Sequence, residues 1–226
     1  MGRIFSEAEQ GYYHVFNRGV DKKVIFIDQG DYARFLFLLL YLQGDFVIKN
    51  LQREFVQHRV LHKLNVSSLC KEFEKDICKD RQVEIVNFCI MPNHFHLTVH
   101  ELQKGGLSKY MHRLLNSYSK FFNTKYERNG HAFQGAYKSV VILHDNQLSY
   151  TSAYIHHNPK ELQGWNQNPE EYAWSSYQDY IDENRWGNLL KPEIILEKHS
   201  SKKDYFDMVS SSGAKDDREE FKWVND

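Results

Sequence analysis

The spacing of hydrophobic and polar positions changes along this chain, and the changes mark its elements. Tyr12-Tyr-His-Val-Phe-Asn17 is aromatic and β-branched and predicts a strand, closed by a turn at Asn17-Arg-Gly19. After Gly30, the run from Asp31 to Leu42 is almost wholly apolar and predicts a buried helix with Asp31 near its start. Residues 43–80 are polar and charged with scattered helical spacing (Phe55, Val60, Leu61, Leu64), and predict a mostly helical insertion. Val83 to Met91 is strand-like, and Met91-Pro-Asn93 is a turn. His94-Phe-His-Leu-Thr-Val-His100 then alternates: His94, His96, Thr98 and His100 on one face, Phe95, Leu97 and Val99 on the other. The two runs predict a hairpin.

From Leu107 to Tyr126 the period becomes helical, with Leu107, Met111, Leu114, Leu115, Tyr118, Phe121 and Phe122 on one stripe. Asn129-Gly130 is expected to end this helix. Ser139-Val-Val-Ile-Leu143 is a short strand, and Asp145 or Asn146 is expected to cap a helix that Pro159 stops near Asn158. The order is β-α-β-β-α-β with one extra helix. It predicts a ferredoxin-like (RRM-like) α+β fold, an antiparallel sheet backed by helices whose open face is the natural site. The chain divides into a domain at residues 1–160, with the insertion at 43–80, and a C-terminal extension at 161–226, partly flexible from Lys202.

Composition narrows the classes. Aromatic residues make up 15% of 226 residues and hydrophobic residues 41%, enough for a packed core. The longest apolar run, Phe35 to Leu42, is far short of the ~20 residues that span a bilayer, so no membrane partner is expected. The three cysteines (Cys70, Cys78, Cys89) form no spaced pair, which fits a reducing cytoplasm. Net charge is −1, but it is unevenly distributed. Between Gln103 and Val140 seven basic residues (Lys104, Lys109, Arg113, Lys120, Lys125, Arg128, Lys138) face one acid, Glu127, whereas residues 166–226 carry 14 acids and 8 bases. The basic stretch suits a phosphate backbone, and it equally suits an ordinary solvated helix face.

Two constellations carry chemistry. His94 and His96, one residue apart on a strand face, can converge on one divalent ion with a third ligand from elsewhere and open positions for substrate oxygens. Tyr154 and Asn158, one turn apart on the last helix, can aim a phenol at a reacting centre and an amide oxygen at the same ion. Each has a structural alternative: half-exposed histidines on a strand, a tyrosine packed on the sheet, an asparagine ending a helix before proline. Together they fit attack of a phenol on a phosphodiester. A phenol of pKa about 10 needs a metal to neutralise and orient the phosphate.

Met91-Pro-Asn-His-Phe-His-Leu97 resembles the HUH motif (His, bulky hydrophobic, His) of the single-tyrosine transposases of insertion sequences, and more closely that of the REP-associated tyrosine transposases. The resemblance extends to His14-Val-Phe-Asn-Arg-Gly19, to the Gly-x-x-aromatic-x-Gly-x-Tyr-Lys-Ser pattern of Gly130 to Ser139, to Tyr154-Ile-x-x-Asn-Pro159 and to Trp174-Ser-Ser-Tyr177. It covers roughly residues 12–42 and 83–180. It implies an HUH nuclease domain acting on single-stranded DNA beside a hairpin or palindromic repeat, as a monomer or homodimer. It further implies Mg2+ or Mn2+ on His94 and His96 with Asn158 as third ligand, and Tyr154 as the attacking residue. Phe133 and Ala136 stand where family members often carry Trp and Arg.

Lys109, Arg113, Lys120, Lys125, Arg128 and Lys138 are the candidate contacts to DNA phosphates. Tyr12, Tyr13, Phe133 and Tyr137 are aromatics able to stack on unpaired bases or to fill the core. Tyr118 is the rival nucleophile, but it lies on the apolar stripe and is expected to pack. His100 and His144 are left out of the site, and His157 is expected at the surface. The alternative of another class is a non-catalytic single-stranded nucleic-acid-binding module, which needs no convergence of His94, His96, Tyr154 and Asn158.

Overall fold

The computed structural model describes residues 11–45 and 74–212. The expected insertion therefore lies largely outside the described residues; its last part, residues 74–79, is helical. The elements are β1 (Tyr12–Arg18), α1 (Gln29–Tyr41), β2 (Val83–Met91), β3 (His94–Glu101), α2 (Gly106–Lys125), β4 (Lys138–Ile142) and α3 (Asp145–His157). Three short helices follow: α4 (Tyr177–Ile181), α5 (Glu193–Leu196) and α6 (Lys202–Ser211). The strands form one antiparallel sheet in the order β2-β3-β1-β4. That is the ferredoxin-like α+β arrangement, reached because each crossover returns its strand two places along the sheet.

Alternation along the strands gives the sheet two unlike faces. On the apolar face Val15, Phe88, Phe95, Leu97 and Val99 pack against Phe35, Leu36 and Leu39 of α1 and against Leu107, Met111, Leu114 and Tyr118 of α2. The other face carries His14, Phe16, His94, His96, Thr98 and His100, as their cross-strand register requires. Helix α3 covers this histidine face. Its Leu148 and Ala153 join Val86 and Ile142 in a second apolar cluster.

Asp31 lies in the first turn of α1, as expected, and Asp28 is the cap. Asp28 accepts the Asp31 amide at 3.1 Å, and the Asp31 carboxylate accepts the Asp28 amide in return, a capping box that contributes about 1 kcal/mol. His144 is the N-cap of α3 without a side-chain bond, and Asp145 is its first residue. Lys202 to Ser211, expected to be partly flexible, form a helix capped by Ser201.

Residues 161–212 pack back onto the domain. Trp186, Leu189 and Leu190 enter the main core, while Tyr177, Tyr180, Ile195, Tyr205 and Val209 fill the space behind α3. Residues 174–176 add to the free edge of β2: the Ile90 amide donates to Trp174 O at 2.9 Å and the Ser176 amide to Phe88 O at 3.0 Å. No helix among the described residues is long and apolar enough to cross a membrane.

Candidate active site

The centre of the histidine face is set by register. His96 of β3 lies between Phe16 of β1 and Cys89 of β2, and His94 lies between Arg18 and Met91. The two imidazoles stand 5.2 Å apart at 89°. Each is held through its Nδ1. Asn93 Oδ1 accepts from His94 Nδ1 at 2.7 Å, so the proton of His94 sits on Nδ1 and the lone pair on Nε2. His96 Nδ1 meets His14 Nε2 at 3.0 Å, with the rings stacked 5.2 Å apart. The turn that presents Asn93 is itself pinned: the Gly19 amide donates to Asn93 O at 2.8 Å, and any side chain at Gly19 would collide with the Lys23 carbonyl.

Helix α3 lowers Tyr154 onto this pair. The half-buried Tyr154 ring meets His96 edge-on at 5.4 Å and 86°, and His14 at 5.9 Å and 72°. One turn on, Asn158 is buried at the helix end. Its Nδ2 donates to Tyr154 O at 3.0 Å and Ile155 O at 3.3 Å, which turns the amide oxygen away from those carbonyls. Tyr154 and His96 therefore meet within one chain, with His94 beside His96.

Behind α3 the helix is clamped. His156 is fully buried, with Nδ1 2.6 Å from Tyr205 Oη and Nε2 2.9 Å from Ser176 Oγ. Burial, helped by neighbouring His157, pushes its pKa well down, so the ring is neutral and serves as a tie between α3, the Trp174-Ser-Ser-Tyr177 segment and α6. His157, expected at the surface, is buried as well. It bonds Val209 O and sits 3.2 Å from Lys160 Nζ.

The rival nucleophile is removed by packing. Tyr118 is fully buried on the apolar face, donates to Ile25 O at 2.6 Å, and has its pKa raised by burial first and by nearby Asp31 second. Phe133 is also core, against Phe35, Phe95 and Tyr118. Tyr13 and Tyr137 pack at the core's edge. Tyr12 stacks on His100 at 4.3 Å, and His100 is paired with Glu84 at 3.0 Å, which holds the Glu84 pKa below the usual carboxylate range.

The candidate DNA-contacting residues divide by face. Helix α2 packs on the apolar side, so Lys109, Arg113, Lys120 and Lys125 lie across the sheet from Tyr154. Lys109 and Lys120 are exposed. Arg113 bonds the Gly44 carbonyl and pairs with Asp45 at 3.5 Å. Lys125 is tied to Asp28 at 2.7 Å and to buried Asp31 at 2.6 Å; burial lowers its pKa, but these bonds outweigh that and raise it. The Arg128 guanidinium lies 5.2 Å over the Phe122 ring. Lys138 alone among the six lies on the histidine face, opposite Phe16, whose ring is 5.6 Å from His96. Arg18, not singled out from the sequence, shares that face beside His94 and bonds Gln134 Oε1 at 2.9 Å. His14 was missed too, although the alternation Tyr12, His14, Phe16, Arg18 marks both residues. Beside the Pro92 turn a cavity of about 670 Å3 is walled by Tyr32, Trp165, Tyr172, Trp174 and Trp186.

Residues 52–158, just under half of the chain, match the family model described as transposase IS200 like. This segment is similar to the IS200-like transposases. The matched segment contains His94, His96, Tyr154 and Asn158. No curated protein matches the chain. A solved structure of a REP-associated tyrosine transposase bound to a REP hairpin is similar at 12% identity and a TM-score of 0.48, over 79% of this chain and 84% of that one.

Proposed function

We infer that this chain nicks and rejoins single-stranded DNA beside a hairpin through a phosphotyrosine on Tyr154, with Mg2+ or Mn2+ on His94, His96 and Asn158. The observation that carries the reading is the Tyr154 ring standing edge-on to His96 at 5.4 Å in one and the same chain.

The donor set fits such an ion. Both imidazoles have their Nδ1 engaged, the arrangement that directs Nε2 to a metal. Among the described residues no three His, Cys, Asp or Glu side chains are arranged to hold a metal ion, and the third donor in this reading is the Asn158 amide oxygen. Three protein ligands leave positions for phosphate oxygens, and imidazole donors favour Mn2+ over Mg2+. When bound, the ion neutralises and orients the scissile phosphate.

Tyr154 Oη attacks phosphorus and the bond to the 3′ oxygen breaks. The phenol gives up its proton, and the departing oxygen takes one up. The product is a 5′-phosphotyrosine and a 3′-hydroxyl, and the reverse attack by a 3′-hydroxyl rejoins a strand without a nucleotide cofactor. Lys138 and Arg18 supply positive charge on the reacting face, and the aromatic cavity beside Pro92 offers stacking surfaces for unpaired bases. A module that only binds nucleic acid has no use for a tyrosine poised over the tethered His96.

The test is incubation with a pool of the host's single-stranded repeat sequences and Mn2+, followed by denaturing electrophoresis. The wild-type chain acquires covalently bound DNA. Tyr154→Phe binds the same hairpins without forming adduct. Adduct on the Phe variant, or none with any strand on the wild type, contradicts the proposal.

A further inference from the structure

We propose that His14 and a buried water beside it form a positioning relay that fixes His96 in the tautomer able to bind a metal ion. The inference rests on the metal site proposed above and concerns how this chain prepares it. His14 is fully buried on β1, and its Nε2 lies 3.0 Å from His96 Nδ1.

Proton bookkeeping permits two states of that hydrogen bond. If His14 donates from Nε2, then His96 Nδ1 accepts, the His96 proton sits on Nε2, and that nitrogen has no lone pair for a metal. If His96 donates from Nδ1, its Nε2 carries the lone pair, and His14 Nε2 accepts. A neutral His14 then carries its own proton on Nδ1. The neutral form is the one its surroundings impose, since the ring is fully buried and its bond is to another imidazole rather than to a carboxylate.

The competent state thus needs an acceptor for His14 Nδ1–H. That atom is buried and has no hydrogen-bond partner, and the same holds for Thr98 Oγ1 and Thr151 Oγ1. Thr98 is the cross-strand partner of His14, and Thr151 lies one turn before Tyr154 on the helix covering this face. All three residues are at most 1% exposed. A buried donor left unpaired costs about 1–3 kcal/mol, and unsatisfied buried groups of this kind are where proteins hold an internal water with two to four polar partners. The water accepts from His14 Nδ1–H and donates to the threonine hydroxyls. His94 has the same device in shorter form, with Asn93 Oδ1 as the acceptor for its Nδ1 proton.

His14 acts through His96 and touches neither metal nor DNA in this scheme, so its test reads tautomers as well as metal uptake. In metal-free protein labelled with 15N-histidine, long-range 1H–15N spectra at neutral pH are expected to show His96 protonated on Nδ1, and the His14 Nδ1 proton to show a cross-peak to water. In Mn2+ titrations followed by electron paramagnetic resonance, His14→Phe is expected to bind about 10–100-fold more weakly. His14→Gln, whose amide oxygen can accept from His96, is expected to stay within a few-fold of wild type. A wild-type His96 protonated on Nε2, a His14 Nδ1 proton with no water contact, or His14→Phe binding Mn2+ like wild type overturns the relay. The tautomer decides the relay even if His14→Phe fails to fold. Wild-type protein with the expected tautomer and water contact but no Mn2+ uptake supports the relay and overturns the metal reading instead.

Discussion

The Tyr154 and His96 rings meet edge to face, 5.4 Å apart, and both belong to one chain. Helix α3 reaches that position because its other side is tied down by the His156 bonds to Tyr205 and Ser176. On the proposed reading the site is complete within one chain. Mixing two inactive variants, Tyr154→Phe and His96→Ala, is expected to restore no cleavage of a single-stranded hairpin substrate. Recovery of activity in the mixture would mean that chains exchange their tyrosine helices.

On the proposed reading, phosphate contacts are expected to follow the face of the sheet rather than the density of charge. Lys138 lies on the histidine face, whereas Lys120 lies on α2 across the sheet. Lys138→Gln is expected to lower the slope of log K against log salt for hairpin binding by about one, and Lys120→Gln to leave it unchanged. Binding isotherms over a salt series check both. The opposite pattern would place the DNA on α2.

The Asp31 carboxylate is fully buried and bonds Lys125 at 2.6 Å, Tyr126 Oη at 2.7 Å and the Ile27 amide at 2.8 Å. Removing Lys125 leaves the buried carboxylate without its cation, whereas removing Asp31 leaves Lys125 still paired with Asp28. Lys125→Met is expected to cost about 3–5 kcal/mol in urea unfolding. The double change Asp31→Asn with Lys125→Met is expected to cost less, because no buried charge is stranded.

How much of this was legible in the sequence depends on the kind of signal. The strict alternation of His94 to His100 specified which residues face α3, and the stripe through Tyr118 correctly placed that tyrosine in the core. Helical periodicity shows which side of α2 is buried, but not which face of the sheet receives it. The charge of the basic helix therefore suggests a place in the site, whereas a ferredoxin-like connection puts α1 and α2 together on one face, away from the histidines. Residues 161–212 lack any sustained period. Their bonds to β2 and α3 run through single side chains such as Ser176 and Tyr205, which no local pattern announces.

Acid is expected to loosen the fold. Burial depresses the pKa of His14 to about 3 and that of His156 well below its ordinary value. The unfolded chain takes up these protons near pH 6.5 and the folded chain does not, so stability is full above about pH 6.5 and is lost as pH falls towards the folded values. Each histidine contributes up to about 1.4 kcal/mol per pH unit over that window. Urea denaturation of metal-free protein between pH 7.5 and pH 4.5 measures the slope. A flat profile would mean that at least one of these rings is not held neutral.

The most direct test is peptide mass spectrometry of the protein after reaction with a cleavable single-stranded hairpin and Mn2+. The account predicts a nucleotide mass, linked through a 5′ phosphate, on the peptide containing Tyr154. The same mass on a peptide containing Tyr118 or any other residue, with Tyr154 unmodified, would contradict it.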